Sequence, residues 1–151
     1  MSVRLALAED AGAIGRLLHD FNVEYAEATP GPEALAKRIR ELLEGGDTVV
    51  LLAGPGPDGL AVMRFRLSIW GRGLECYLAE LYVAPAHRGQ GLGRALMNET
   101  IALARRRGAD YIDLNTAETD VAARALYESL GFSDRDGGPD GPINLYYGLD
   151  L

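Results

Sequence analysis

The chain predicts an α/β fold: a single mixed, mostly antiparallel central sheet with helices on both faces, occupying one domain over residues 1–151. Three observations carry that expectation. Segments with apolar residues at every second position are interleaved with segments in which they recur every three or four. The connections GPGPDG and GRG are too short for a crossover helix, so the middle strands run antiparallel. A later strand–helix–strand unit then supplies one parallel pair through a right-handed crossover.

The elements follow in order. Val3, Leu5 and Leu7 alternate against Arg4 and Ala6, a short strand. Glu9 and Asp10 open an amphipathic helix with Ile14, Leu17, Leu18 and Phe21 on one face. Asn22 to Gly31 breaks that pattern and reads as a loop. Pro32 suits the first turn of a second helix striped by Leu35, Ile39, Leu42 and Leu43, which Gly45-Gly46 stops. Thr48–Ala53, Gly59–Trp70 and Leu74–Val83 are the next strands. A long helix runs from about Gln90 to Arg107, its apolar face formed by Leu92, Leu96, Met97, Ile101, Leu103 and Ala104, and Gly108 closes it. Tyr111–Asn115 is a strand. Thr119 or Asp120 caps a helix that carries Leu126 and Leu130 and ends at Gly131. Phe132–Asp134 and Ile143–Leu149 read as a closing hairpin.

Composition narrows the function classes. The 151 residues suffice for one ordinary core. A net charge of −7 repels a phosphate backbone, so nucleic acid is excluded as a general partner. The run Arg105-Arg106-Arg107 complements a helix C-terminus instead. A lone cysteine, Cys76, makes no internal disulfide, and the N-terminus lacks a signal peptide's apolar stretch. No apolar run approaches the ~20 residues of a membrane helix. These features point to a cytoplasmic protein without a membrane partner. No metal is expected: the loop from Asp134 to Asp140 has the wrong residues for calcium, with Gly138 at the third ligand position.

The stretch from Leu81 to Leu96 is the most informative. A strand runs into Gly89, Gly91 and Gly93 and then directly into a helix. Glycines at alternate positions let the backbone approach a ligand, and the helix start favours an anion there. Arg88 and Arg94 add charge suited to phosphate oxygens. A dinucleotide fingerprint fails because Arg94 and Leu96 stand where glycine is required, and no Gly-Lys-Ser/Thr triplet exists for a P-loop.

Val83-Ala-Pro85 followed by Arg88-Gly-Gln-Gly91-Leu-Gly93, with Leu126-Tyr127-Glu-Ser-Leu-Gly131-Phe132 further on, resembles the GNAT superfamily of acetyl-CoA-dependent N-acetyltransferases. The resemblance is strong over residues 74–133 and implies that family's acyl-CoA N-acyltransferase fold. It implies that Arg88, Gly89, Gln90, Gly91, Gly93 and Arg94 hold the pyrophosphate of acetyl-CoA. Backbone near Leu81 and Val83 would pair with the pantetheine arm, and Tyr127 would protonate the departing thiolate. Many members carry asparagine near the cofactor where this chain has Asp120, whose carboxylate can still cap the helix.

Amine acetylation needs a free amine, a polarised carbonyl and a protonated leaving group. Glu80, sharing a face with Leu78 and Tyr82 in mid-strand, is a candidate base acting through water, since half-burial raises a carboxyl pKa. An ordinary carboxylate paired to an arginine is the other reading. Backbone N–H groups beside Leu81 and Tyr82 could polarise the carbonyl. A tyrosine's ordinary pKa near 10 matches an alkyl thiol, while a core aromatic is the alternative for Tyr127. Cys76 is expected to be a small buried hydrophobe, so direct attack in a ternary complex is favoured over an acyl-enzyme. The acceptor is a small-molecule or peptide amine. Phe21, Glu24, Tyr25 and Trp70 supply the acid and aromatic groups that suit a cationic amine, though the same surfaces could form a homodimer contact. A non-catalytic acyl-CoA-binding sensor is the competing function.

Overall fold

A computed structural model describes residues 2–151; Met1, the first residue of the N-terminal stretch read above, lies outside them. The residues form two compact units, one ending at Leu114 and the other spanning Asn115–Leu151. The first unit holds a five-stranded sheet of β1 (Val3–Leu5), β2 (Thr48–Ala53), β3 (Gly59–Leu67), β4 (Leu74–Val83) and β5 (Ala109–Asp113), arranged in that order. The first four strands pair antiparallel and β5 joins β4 parallel, as the connection lengths require. Helices α1 (Ala11–Glu24), α2 (Pro32–Gly45) and α3 (Leu92–Arg106) complete this unit, and α4 (Val121–Ser129) lies in the second.

Both faces of the sheet are covered, so the central strands read as near-continuous apolar runs. Every residue of β2 is buried. Val50, Leu52, Leu60, Val62 and Tyr82 form one cluster with Ala11, Ile14 and Leu17 of α1 and Ile39 of α2. Their alternates, Leu51, Ala61 and Met63, turn to the other face, where Gly59 meets Leu96 of α3. Met97, Thr100 and Ala104 extend the buried stripe of α3. Among the described residues, no helix is long and apolar enough to cross a membrane.

Strand β5 lies two residues earlier than the expected Tyr111–Asn115 and β1 stops at Leu5, while three further segments differ more. Helix α1 continues through Glu24, and the segment beyond it is pinned rather than loose. The Asn22 side chain donates to the Ala28 carbonyl at 2.7 Å, and His19 Nδ1 meets Thr29 Oγ1 at 3.1 Å. Strand β3 stops at Leu67 because residues 68–73 close a turn, with Ser68 N–H bonded to Gly73 O and Gly71 N–H to Ser68 Oγ. The closing hairpin reduces to one bridge, Arg135 to Ile143. Pro142 has no N–H to continue a ladder, Gly137 and Gly138 are left-handed, and Ile143, Leu145, Tyr147 and Leu149 remain more than half exposed.

Close packing of α1 on α2 depends on Gly15. A Cβ there would stand 2.5 Å from Pro32 O and 2.7 Å from Ala36 N, both backbone atoms that cannot swing aside. Gly15→Ala is expected to lower unfolding free energy by about 1–3 kcal/mol. Gly12→Ala, on the same helix with nothing within 4 Å, should be neutral or stabilising by up to about 1 kcal/mol. Urea titration of the two variants checks the contrast.

Candidate active site

Strand β4 changes character halfway along. Leu74, Glu75, Cys76 and Tyr77 pair with β5 on one side and β3 on the other. From Leu78 to Val83 no strand pairs opposite β3, which leaves this backbone edge available to an extended ligand except at the Val83 carbonyl, which accepts from Arg88 Nε at 2.9 Å. Leu81 and Val83, the expected pantetheine partners, lie on this stretch, opposite Ala61 and Gly59.

The register slips at the same place. Glu80 lies opposite Val62, yet Leu78 lies opposite Met63, leaving Ala79 as an extra residue. Such a bulge re-aims the side chains that follow it. Val62 and Tyr82 belong to the α1–α2 side of the sheet, so Glu80 faces that side too. Leu78, opposite Met63, faces α3. The expectation that Glu80 shares a face with both neighbours therefore holds for Tyr82 and fails for Leu78. No glycine or proline in β4 marks the bulge in the sequence.

Glu80 is exposed, and its carboxylate has no hydrogen-bond or ion-pair partner among the described residues. Protein packed around it nonetheless strips away enough water to raise its pKa. No arginine holds it, in contrast to Glu75, which pairs with Arg66 at 2.7 Å. Cys76 is fully buried, and burial followed by the charge of Asp113 pushes its thiol pKa up to about 11. It is a packing residue, as expected.

Past Val83, a turn over Pro85–His87 leads to the glycine loop. Gly89 and Gly91 have φ of +76° and +83°, left-handed values that strain any side chain. Gly91 is the N-cap of α3 and makes no side-chain cap bond, so the helix opens with backbone N–H groups pointing outward. Gln90 is exposed beside them. Outward N–H groups at a helix start suit an anion. His87 is tied back, its Nε2 3.4 Å from Asp58 Oδ1.

Phe21, Glu24 and Tyr25 gather next to this loop around Tyr82. Phe21 stacks on Tyr82 with centroids 4.7 Å apart, and Tyr25 meets Phe21 edge-on at 5.4 Å. The Tyr82 hydroxyl donates to Glu24 Oε1 at 3.1 Å, and burial together with Glu24 pushes its pKa up to about 12. Arg88 grips Glu24 with two bonds of 2.8 Å, which lowers the Glu24 pKa. Glu24 is thus already committed and is not a free anion for an acceptor. Trp70 is not part of this group. It is 93% exposed beside a shallow cavity of about 350 Å³ lined by Ser68, Glu75, Asp110 and Tyr111. That cavity and the glycine loop flank opposite ends of a ten-residue strand, about 30 Å apart.

Two residues of the arginine run make contacts of their own. Arg106 pairs with Glu99 at 2.7 Å, and the Arg107 guanidinium lies 5.1 Å from the Phe65 ring centroid. In the second unit, Asp120 caps α4 by accepting from Ala123 N–H at 3.2 Å. Tyr127 is buried on that helix, its ring 6.0 Å from Phe132.

Known proteins of one family are similar to this chain in sequence and fold. A family model described as the acetyltransferase (GNAT) family matches residues 16–132. A thialysine N-epsilon-acetyltransferase from Bos taurus is 32% identical over 146 residues, covering 87% of this chain and 84% of its own. YhfO of Bacillus subtilis (strain 168), an uncharacterized N-acetyltransferase, is 28% identical over 141 residues, covering 91% and 93%. A crystal structure of a candidate acetyltransferase from Arthrobacter sp. FB24 superposes with a TM-score of 0.91 at 43% identity, covering 100% of this chain and 96% of that one.

The burial of Cys76 has a chemical consequence. Raising a thiol pKa from 9.0 to about 11 cuts the thiolate fraction near pH 8 about a hundredfold. Ellman's reagent should therefore label the native protein at least that much more slowly than the urea-unfolded chain.

Proposed function

The chain belongs to the GNAT acetyltransferase family, and on that premise we propose that it binds acetyl-CoA along the open edge of β4 and the glycine loop and transfers the acetyl group to a primary amine by direct attack. It is an N-acetyltransferase, and the named relatives do not favour the sensor reading. The observation that carries the cofactor assignment is the continuity of two binding elements. A strand edge with no partner strand over Leu78–Val83, occupied only at the Val83 carbonyl by Arg88, leads to backbone N–H groups at the start of α3. The first suits an amide-bearing arm and the second a pyrophosphate.

In this reading Glu80 accepts the proton from the attacking amine, directly or through one water. Its freedom from any ion pair and its raised pKa suit that task. Outward N–H groups of β4 beside Leu81 and Tyr82 would polarise the thioester carbonyl. Tyr127 is the proposed donor to the leaving thiolate. The acceptor is an amine presented on the face of the sheet that carries Glu80, and a small-molecule or peptide amine is proposed. Reaction in the cytoplasm as a single domain completes the proposal.

The pH dependence has a definite sign. Because the Glu80 pKa is raised, the base form is lost while ordinary carboxylates are still ionised. The rate should therefore rise with pH through an apparent pKa above the normal carboxylate range. Glu80→Gln should flatten that limb and lower kcat by about a hundredfold or more. The same shift means that ionised Glu80 opposes folding above the normal carboxylate range. Glu80→Gln should therefore lose activity without losing thermal stability. Steady-state kinetics with a free-thiol readout, run beside thermal melts, tests both. An unchanged kcat would remove Glu80 from the mechanism.

A further inference from the structure

We infer that Arg88 is a strut that sets the position of the glycine loop, and that Glu24 is the positioning residue that holds Arg88 in place. The inference rests on the proposed binding of acetyl-CoA at that loop, and it alters the role given to both side chains.

The guanidinium is engaged on each of its three nitrogens. Nε donates to the Val83 carbonyl at 2.9 Å, Nη1 to Glu24 Oε2 at 2.8 Å and Nη2 to Glu24 Oε1 at 2.8 Å. It also lies 5.6 Å from the Tyr82 ring centroid. Glu24 in turn takes a third bond from the Tyr82 hydroxyl. One planar fork thus joins the last turn of α1, the last residue of β4 and the residue immediately before Gly89. A lysine, with one nitrogen, cannot replicate that geometry.

The loop needs such an external fix. Gly89-Gln90-Gly91 contains two residues without Cβ, both left-handed, so local sterics restrict the backbone weakly. Its N–H groups converge on an anion only if both ends of the segment are held. Helix α3 holds one end and Arg88 the other. A phosphate approaching Arg88 would meet a charge that Glu24 has already balanced. The backbone cradle is therefore the anion site, and Arg88 shapes it from behind.

The two roles predict opposite signs for one substitution. If Arg88 were a phosphate ligand, Glu24 would be its competitor, and Glu24→Gln would tighten acetyl-CoA binding. As a strut, Arg88 needs the carboxylate, and Glu24→Gln should weaken binding about tenfold, the scale of a lost charge-assisted hydrogen bond. Arg88→Lys should be nearly as weak as Arg88→Ala. Tyr82→Phe, which removes only the hydroxyl contact to Glu24, should shift affinity the same way by less.

Calorimetry on the full chain, with melts to confirm folding, reads these affinities. S-acetylpantetheine, which lacks the pyrophosphate, is the comparator, and Glu24→Gln should leave its affinity unchanged. Glu24→Gln binding acetyl-CoA as tightly as wild type or tighter, Arg88→Lys behaving as wild type, or an equal loss for S-acetylpantetheine would each overturn the strut. Wild-type protein that fails to bind acetyl-CoA would instead overturn the cofactor reading, and the strut with it.

Discussion

The site depends on β4 having two neighbours for the first half of its length and one for the second. A β-strand left with an unpaired edge presents a row of N–H and C=O groups that must find partners. Here the row begins at Leu78, just past the last residue paired with β5, and runs toward Val83, whose carbonyl Arg88 takes up. Its far end turns into the glycine loop and α3. An extended amide-bearing ligand with an anionic tail satisfies the strand edge and the helix N-terminus in a single pose.

The bulge at Ala79 sits at the same point, and the two features work together. Without the extra residue, regular alternation would keep Glu80 on the face occupied by Leu78 and α3. With it, Glu80 turns to the α1–α2 side, beside Tyr82 and unpaired. The only stretch of β4 with a free backbone edge is thus also the stretch that carries a free carboxylate. Two nearby carboxylates are neutralised in pairs, Glu75 with Arg66 and Glu24 with Arg88. Among the described residues the Glu80 carboxylate has no such partner, which suits a proton acceptor.

Much of this was legible in the sequence because it rests on short-range patterns. Strands β2 and β4 have the bounds that alternation and flanking turns predict, and Gly46 and Gly91 sit at helix ends where their left-handed backbone is needed. What escaped was tertiary. The bulge depends on how Val62 and Met63 meet β4, and nothing in Leu74–Val83 announces it. Glu24 and Arg88 are 64 residues apart, and only the three extra residues of α1 bring the carboxylate to the loop. Chemistry alone places Trp70 with the acceptor residues, whereas the length of β4 separates them. Alternation near the C-terminus suggested a hairpin, but Pro142 and two left-handed glycines leave a single bridge.

Amide hydrogen exchange of the wild-type protein, with and without saturating acetyl-CoA, tests the central claim most directly. The account predicts new protection concentrated at Leu81–Val83 and Gly89–Gly93, with little change in β1 and β2. Binding that leaves the β4 edge and the glycine loop exchanging as before, or that protects the Trp70 end of the strand instead, would contradict it.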